Sequence, residues 1–380
     1  MTAPVSVAAP TTTAAELAEL QDTVRQALRS LSPPEAVRTT MDSPHGWEAH
    51  VWKRLCGELG VVGLAVPEQL GGSGLSWREQ AVVLEEAGAA LLCAPLFATA
   101  ALAVPLLLAA GEGAHALIPP LCRGERTATV LFGAGPFSSQ PLSARSHEGT
   151  WTVSGTIAPV VDGATADDLL VVAEGPTGPV LLHLDAAQPD VAASPLVSLD
   201  LTRRQAKLSL AAASASLLSD AALAPQVLEE ALRISRALLA AEEVGVAQRA
   251  LDMTVAYAKS RVQFGRPIGS FQAVKQKVAD MLIKVESARS AAHAAAQAVS
   301  TGTPDPGIAP LVAAAFCAEA AVAVTSEAIQ LHGGIGFTWE HDAHLYFKRA
   351  RTDRELLGRP SGHVRQLADE LGPASTRGTA

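Results

Sequence analysis

Cysteine is scarce in this chain: Cys56, Cys93, Cys122 and Cys317 are the four in 380 residues, far apart, with no CxxC pair and no histidine cluster near them. That spacing suggests neither a disulfide framework nor a zinc site, and fits a reducing cytoplasm. Basic residues are outnumbered, 29 Lys and Arg against 38 Asp and Glu, which gives a formal charge of -9 and a pI near 5.6. No basic footprint is left for nucleic acid or an anionic membrane. The start of the chain lacks a basic segment leading into an apolar run; residues 2 to 14 are Ala, Pro, Thr, Val and Ser, too poor in apolar bulk to order themselves, and read as a loose tail. Charge is absent from Ala87 to Gly111, a length that raises a membrane span, but Pro95 and Pro105 interrupt it and Gly and Ala dilute it, so buried core helices are expected.

What is present is apolar mass. With 48% hydrophobic and 18% charged residues over 380 positions, the chain can bury a large core and divide into more than one domain. Three regions differ in period. From Ala14 to about residue 123 the pattern is helical; Ser32-Pro33-Pro34-Glu35 predicts a capping box with Ser32 as cap, and Pro67 to Gly74 predicts a loop between two helices. From 124 to 224 short β-type runs follow, among them Thr127 to Phe132, Thr150 to Val153, Leu169 to Val172 and Val180 to Leu184. From 225 to the end the chain is helical again, with Ala-rich helices expected at 225–260, 271–300 and 308–331 and a loop from Thr301 to Gly307. The expected class is α+β: a tail at 1–13, an N-terminal helical domain, a middle β-barrel or sheet domain, and a C-terminal four-helix bundle.

Two C-terminal segments carry the chemistry. Arg261-Val262-Gln263-Phe264-Gly265-Arg266-Pro267-Ile268, followed by Phe271-Gln272, joins a guanidinium fork suited to a pyrophosphate with an amide. Gln330-Leu331-His332-Gly333-Gly334-Ile335-Gly336-Phe337 has a Gly pair that lets backbone approach a phosphate or adenosine with no Cβ in the way. The alternative for each is plainer: glycines that end a helix, and an arginine in solvent.

These segments, with Gly63-Leu64-Ala65-Val66-Pro67-Glu68 and Gly71-Gly72-Ser73-Gly74 upstream, resemble the signatures of the acyl-CoA dehydrogenase family, over nearly the whole chain after the tail. The resemblance implies that Arg261, Gln272, Gln330, Gly333 and Gly334, with Phe264 packed nearby, hold the adenosine pyrophosphate part of the FAD of a neighbouring subunit. The family's flavin-ring contacts are missing. Where members have a Thr-Glu-Pro-x-Ala-Gly-Ser-Asp type segment, this chain reads Leu131 to Ser139, and where they have Trp-Ile-Thr it has Pro159 and Val161, which offer neither a stacking face nor a hydroxyl. The base that removes the α-proton of the thioester is missing too. Its two family positions count to Ser235 on the long helix and, ungapped from Gly336-Phe337, to Leu357.

Few acids can stand in. Glu242 and Glu243 lie about 10 Å along the helix from Ser235 at its rise per residue, too far to reach the same atom. Glu355 is a weak substitute, two residues short of the family position. Arg236 matches an arginine kept near the family's active site, His332 reads as a packing or cofactor-adjacent residue, and His341, Asp342 and His344 are too few for a metal site. The resemblance therefore points to the non-catalytic subunit of a heteromeric acyl-CoA dehydrogenase, like the paired α2β2 subunits that actinobacteria use on steroid side-chain CoA thioesters, with an electron-transfer flavoprotein as electron acceptor. A self-sufficient homo-oligomer with a relocated base, and a flavin-free structural or regulatory paralogue, remain as alternatives. The acyl group is not readable.

Overall fold

The computed structural model describes residues 12–134, 141–301 and 307–372. The expected tail up to residue 11, most of the loop between Thr301 and Gly307, and positions 135–139 of the segment set against the family's first flavin motif lie outside the described residues.

The chain opens with helices α1 (Ala14–Leu31), α2 (Pro34–Asp42), α3 (Ala49–Leu59) and α4 (Trp77–Ala89). Capping boxes start α1 and α4, at Thr13 with Glu16 and at Ser76 with Glu79. The box expected at Ser32 is not formed. The cap of α2 is Pro33, with no side-chain bond, while the Ser32 N–H donates to the Leu28 carbonyl at 2.8 Å and closes α1. The two prolines explain this, since Pro33 holds Ser32 out of the helical region and Pro34 has no N–H to be capped. The uncharged stretch follows as a π-helical turn, Phe97–Ala103, running into α5 (Val104–Ala110), and residues 95–107 are all buried; α6 (Ile118–Cys122) ends the region.

The middle of the chain is a seven-stranded sheet: β1 (Ala128–Phe132), β2 (Ser143–His147), β3 (Thr150–Val161), β4 (Asp168–Gly175), β5 (Gly178–Asp185), β6 (Val191–Pro195) and β7 (Gln205–Ser219). Strand β4 bonds to β1, β2 and β5, β3 bonds to β2 and β7, and β7 bonds to β5, so that β4, β2, β3, β7 and β5 close a ring. Strand period divides two cores at β4. Leu169, Val171 and Ala173 face the barrel interior with Val153, Leu182 and Leu208, while Leu170 and Val172 face the helices.

Three long helices complete the chain, α7 (Ala224–Ser260), α8 (Gln272–Thr301) and α9 (Ile308–His332), close to the ranges expected from the Ala-rich pattern. A short hairpin, β8 (Val262–Gln263) with β9 (Arg266–Pro267), joins the first two, and α10 (Ala343–Asp353) and α11 (Pro360–Leu371) pack back on α9. The segment Ile308–Phe337 is long and apolar enough to cross a membrane, with a mean hydropathy of 1.9, yet 56% of its most apolar window is buried inside the protein. Helices α4 and α7 cross at two glycines. A Cβ at Gly88 would lie 2.2 Å from the Glu242 carbonyl oxygen, and one at Gly245 would lie 1.8 Å from that of Glu85, so only glycine allows the approach.

Candidate functional site

Helix α7 stops at Arg261, whose backbone is extended (ψ 119°) and whose N–H still donates to the Tyr257 carbonyl at 2.8 Å. The hairpin that follows pairs Val262 with Pro267 and Gln263 with Arg266 around Phe264 and Gly265, which have φ of 51° and 78°. Two consecutive positive φ values make the tight turn that matches strand twist. The turn leaves Phe264 at the tip, 93% exposed, edge-on to Phe271 at 6.2 Å, with the Arg266 guanidinium 4.1 Å above the Phe271 ring. Gln272 then opens α8. A second arm comes from the end of α9. Gln330 is exposed on its last turn, and Gly333 leaves the helix at φ 64°, ψ -144°. A Cβ at Gly333 or Gly334 would meet nothing within 4 Å, so both backbones face open space; Gly336 differs, since its Cβ would strike the Ile329 carbonyl at 2.8 Å.

The two arms lie at one end of the bundle, joined by the rings of Tyr257 and His332, which stack at 4.6 Å. Arg261, Phe264, Gln272, Gln330, Gly333 and Gly334 are all exposed, with Val262, Ile335, Phe337 and Trp339 as exposed apolar neighbours. A guanidinium, two amides and a glycine loop set among exposed apolar groups fit the polar end of a dinucleotide and a second protein surface. Among the described residues, nothing lies within 4 Å of where a Cβ on Gly333 or Gly334 would point.

The positions expected from the resemblance for the flavin ring and the base are of the opposite character. Val161 is 7% exposed at the end of β3, packed in the helical core, and its carbonyl accepts the Thr129 hydroxyl at 2.6 Å. Pro159 lies within the register shift between Ile157 and Val160, where a strand tolerates a residue without an N–H. Ser235 is buried, and its hydroxyl, bonded to the Ala101 carbonyl at 2.6 Å and the Ala231 carbonyl at 2.9 Å, ties α7 to the π-helical turn. Leu357, at φ 54°, packs into the same core as Val161. Arg236 is buried and reaches Gln366 on α11 at 3.2 Å. Glu355 is half-exposed and ion-paired with Arg359 at 2.7 Å and Arg354 at 3.3 Å. Among the histidines, His341 accepts the Ala343 N–H, Asp342 pairs with Arg38 at 2.6 Å, and His344 is edge-on to Trp339 at 4.8 Å.

A buried ionic network, absent from the expected site residues, stands where the three regions meet. Arg349 donates to Asp200 at 2.7 Å, Glu242 at 2.7 Å and Thr202 at 2.6 Å, while Arg203 pairs with Glu242 and lies 3.3 Å from Asp353. Burial works against the Arg349 cation, but Asp200 and Glu242 outweigh it and hold its pKa above the ordinary arginine value. Burial pushes Asp162 up to about 7 in spite of Arg203 and Arg349, and pushes Glu243, which has no hydrogen-bond partner among the described residues, well above the carboxylate range. The void lined by Asp162, Arg203, Glu242 and Arg349 measures about 20 Å³, space for a single water and far too little for a three-ring flavin. The sequence signal for this network is the charged pair Glu242-Glu243 inside an apolar helix. A larger cavity of about 900 Å³ opens between α1, α4, α7 and α8, and the ion pairs Arg25–Glu86 and Arg289–Glu85 lie in its lining.

Known proteins share this architecture. Residues 14–125 match the family described as acyl-CoA dehydrogenase, N-terminal domain, and residues 226–372 match the acyl-CoA dehydrogenase, C-terminal domain. The chain is 39% identical to acyl-CoA dehydrogenase IpdE2 of Mycolicibacterium smegmatis, over 93% of this chain and 97% of that protein, and 36% identical to IpdE2 of Mycobacterium tuberculosis, over 93% and 96%. Among solved structures it superposes on a variant of the Tcur3481-Tcur3483 steroid ACAD with a TM-score of 0.84 at 33% identity, covering 94% of this chain and 98% of that one. It superposes equally well, 0.84 at 30% identity, on the ChsE4-ChsE5 complex of Mycobacterium tuberculosis, with 96% and 99% covered.

Proposed function

The chain belongs to the acyl-CoA dehydrogenase family, and from that premise we propose that it is the subunit of a heteromeric, FAD-dependent enzyme that has no catalytic base of its own and completes the FAD site of a homologous partner. The observation that carries this reading is the contrast between its two half-sites. The dinucleotide end, Arg261, Gln272 and Gln330 to Gly334, faces outward and open; the ring and base positions, Val161, Ser235 and Leu357, are packed into the core. A chain that had merely lost a carboxylate would keep a pocket around the vacant position, whereas the Ser235 hydroxyl is bonded directly to the helix packed against it. In this reading the acyl chain and the flavin ring are held by a second subunit.

In this reading Arg261 holds the pyrophosphate by its planar fork, the Gln272 and Gln330 amides bond the adenosine side, and the Gly333-Gly334 backbone lets the nucleotide approach. Bound FAD supplies the acceptor for the hydride that leaves the β-carbon of an acyl-CoA. The partner supplies the Glu that removes the α-proton, together with the pocket for the acyl group. Electrons then leave for an electron-transfer flavoprotein. Likeness to a steroid ACAD and to the ChsE4-ChsE5 complex favours pairing with a homologous subunit; in this reading the assembly is α2β2, acts on a steroid-type CoA thioester and works in the cytoplasm. The self-sufficient alternative through Glu355 is disfavoured by its two arginine partners on the surface.

The test is the flavin content of this chain purified alone and after co-expression with a homologous acyl-CoA dehydrogenase subunit, read by absorbance after denaturation, with activity assayed on the same samples. Little FAD alone and about one per pair with the partner is expected for a composite site. One FAD per chain with turnover in the isolated protein would overturn the reading.

A further inference from the structure

The stack of Tyr257, His332 and His341 has a placement that core packing alone does not require. Tyr257 lies on the last turn of α7 and its carbonyl holds the Arg261 N–H at 2.8 Å; His332 is the last residue of α9, directly before Gly333. Their rings stack at 4.6 Å with planes 30° apart, and His341 closes on His332 at 4.4 Å and on Tyr257 at 6.4 Å. His341 is itself braced. Its Nδ1 accepts the Ala343 N–H at 3.1 Å, the adjacent Asp342 takes Arg38 of α2 at 2.6 Å, and Arg38 also donates to the Trp339 carbonyl at 2.7 Å. A chain of contacts thus runs from the N-terminal region through the three rings to both arms of the dinucleotide end.

We propose that Tyr257, His332 and His341 are positioning residues that lock the end of α7 to the end of α9 and so fix the spacing between Arg261 and the Gln330–Gly334 loop. The proposal rests on the reading that those two arms hold FAD. The chemistry of His332 sets a condition on the lock. Its Nδ1 lies 2.7 Å from the Ala328 carbonyl and so carries the proton, while Nε2 is buried with no partner among the described residues. A second proton on Nε2 would place an unpaired cation beside His341. The groups that face the stack are Tyr257 on α7, His341 and Asp342 before α10, and Arg38 on α2; Asp342 alone would favour a charged His341. Burial, and for His341 also His332 and Arg38, prevails and holds both imidazoles below the ordinary value. Both rings are therefore neutral at pH 7, and the lock weakens only on the acid side of the ordinary value of 6.5, as pH falls towards the lowered folded pKa values.

The experiment uses the co-expressed complex and FAD as the probe, with FAD dissociation followed by flavin fluorescence between pH 5 and 8. His332→Ala is expected to weaken FAD retention about tenfold at pH 7, the effect of losing two ring contacts. His332→Phe combined with His341→Phe, which keeps both stacking faces but leaves neither ring to be protonated, is expected to retain FAD and to lose the acid limb of the profile. Arg261→Ala serves as the control. If Arg261→Ala releases FAD while His332→Ala holds it as the wild type does, the lock is wrong and the composite site stands; if neither releases FAD, the composite site itself fails and the lock with it. Should His332→Ala fail to assemble, the double Phe variant decides: a flat profile supports the lock, and an unchanged acid limb overturns it.

Discussion

The hydroxyl of Ser235 donates to the carbonyl of Ala101, 2.6 Å away, and so binds α7 to the π-helical turn at one of the two positions where the family resemblance would place a base. Closure at this point means the missing carboxylate cannot be restored by a side-chain change alone.

Ser235→Glu is therefore expected to destabilise the chain and to produce no dehydrogenase activity in it. An ionised carboxylate there would be buried without a partner, a loss of about 3–5 kcal/mol. Thermal unfolding of the variant should show a clear drop; a stable variant that oxidises acyl-CoA unaided would mean that a pocket exists at Ser235 after all.

At Arg261 the expected outcome is reversed. Its side chain is exposed, so Arg261→Ala should change stability by less than about 0.5 kcal/mol, while FAD bound per assembled complex falls. Arg261→Lys should recover only part of the loss, because an ammonium lacks the planar fork. Equal flavin absorbance in all three proteins would remove Arg261 from the cofactor site.

Glu243 predicts a pH dependence. Burial raises its folded pKa well above 4.5, so the unfolded chain releases the proton first, and stability is full below about pH 4.5 and declines as pH rises towards the folded value. Glu243→Gln, which removes the titration, should be more stable than the wild type at pH 8, with the gain shrinking towards pH 4.5. Denaturant midpoints at several pH values measure this, and a constant difference between the two proteins would count against a protonated Glu243.

Arg349 is the hub of the buried network, with Asp200, Glu242 and Thr202 on its three nitrogens. Arg349→Met should lower stability by about 3–5 kcal/mol, because it leaves Asp200 buried without its cation, while Glu242 keeps Arg203. Adding Asp200→Asn to the same chain should recover part of the loss, since the orphaned charge is then gone. A double-mutant analysis of melting data tests the coupling, and simple additivity of the two changes would show that no network exists.

Much of the site could be read from local sequence, and the reasons are local. Gly333 stands where the chain leaves α9 at positive φ, Phe264-Gly265 makes a two-residue turn, and the Ala-rich runs set α7, α8 and α9; each depends on residues within a few positions of one another. The capping box expected at Ser32 failed for an equally local reason: two prolines competed with it. The barrel closure, the Tyr257–His332 stack and the Arg203–Glu242–Arg349 network were not legible, because their partners are brought together from distant parts of the chain. The same holds for the sealed core. Sequence alone determined that Ser235, Val161 and Leu357 bring no carboxylate to their positions, since side-chain chemistry belongs to the residue. Only the tertiary structure decided that the space around them is filled, because a cavity is a property of how helices approach, and here Ser235 and Ala101 meet at hydrogen-bond distance.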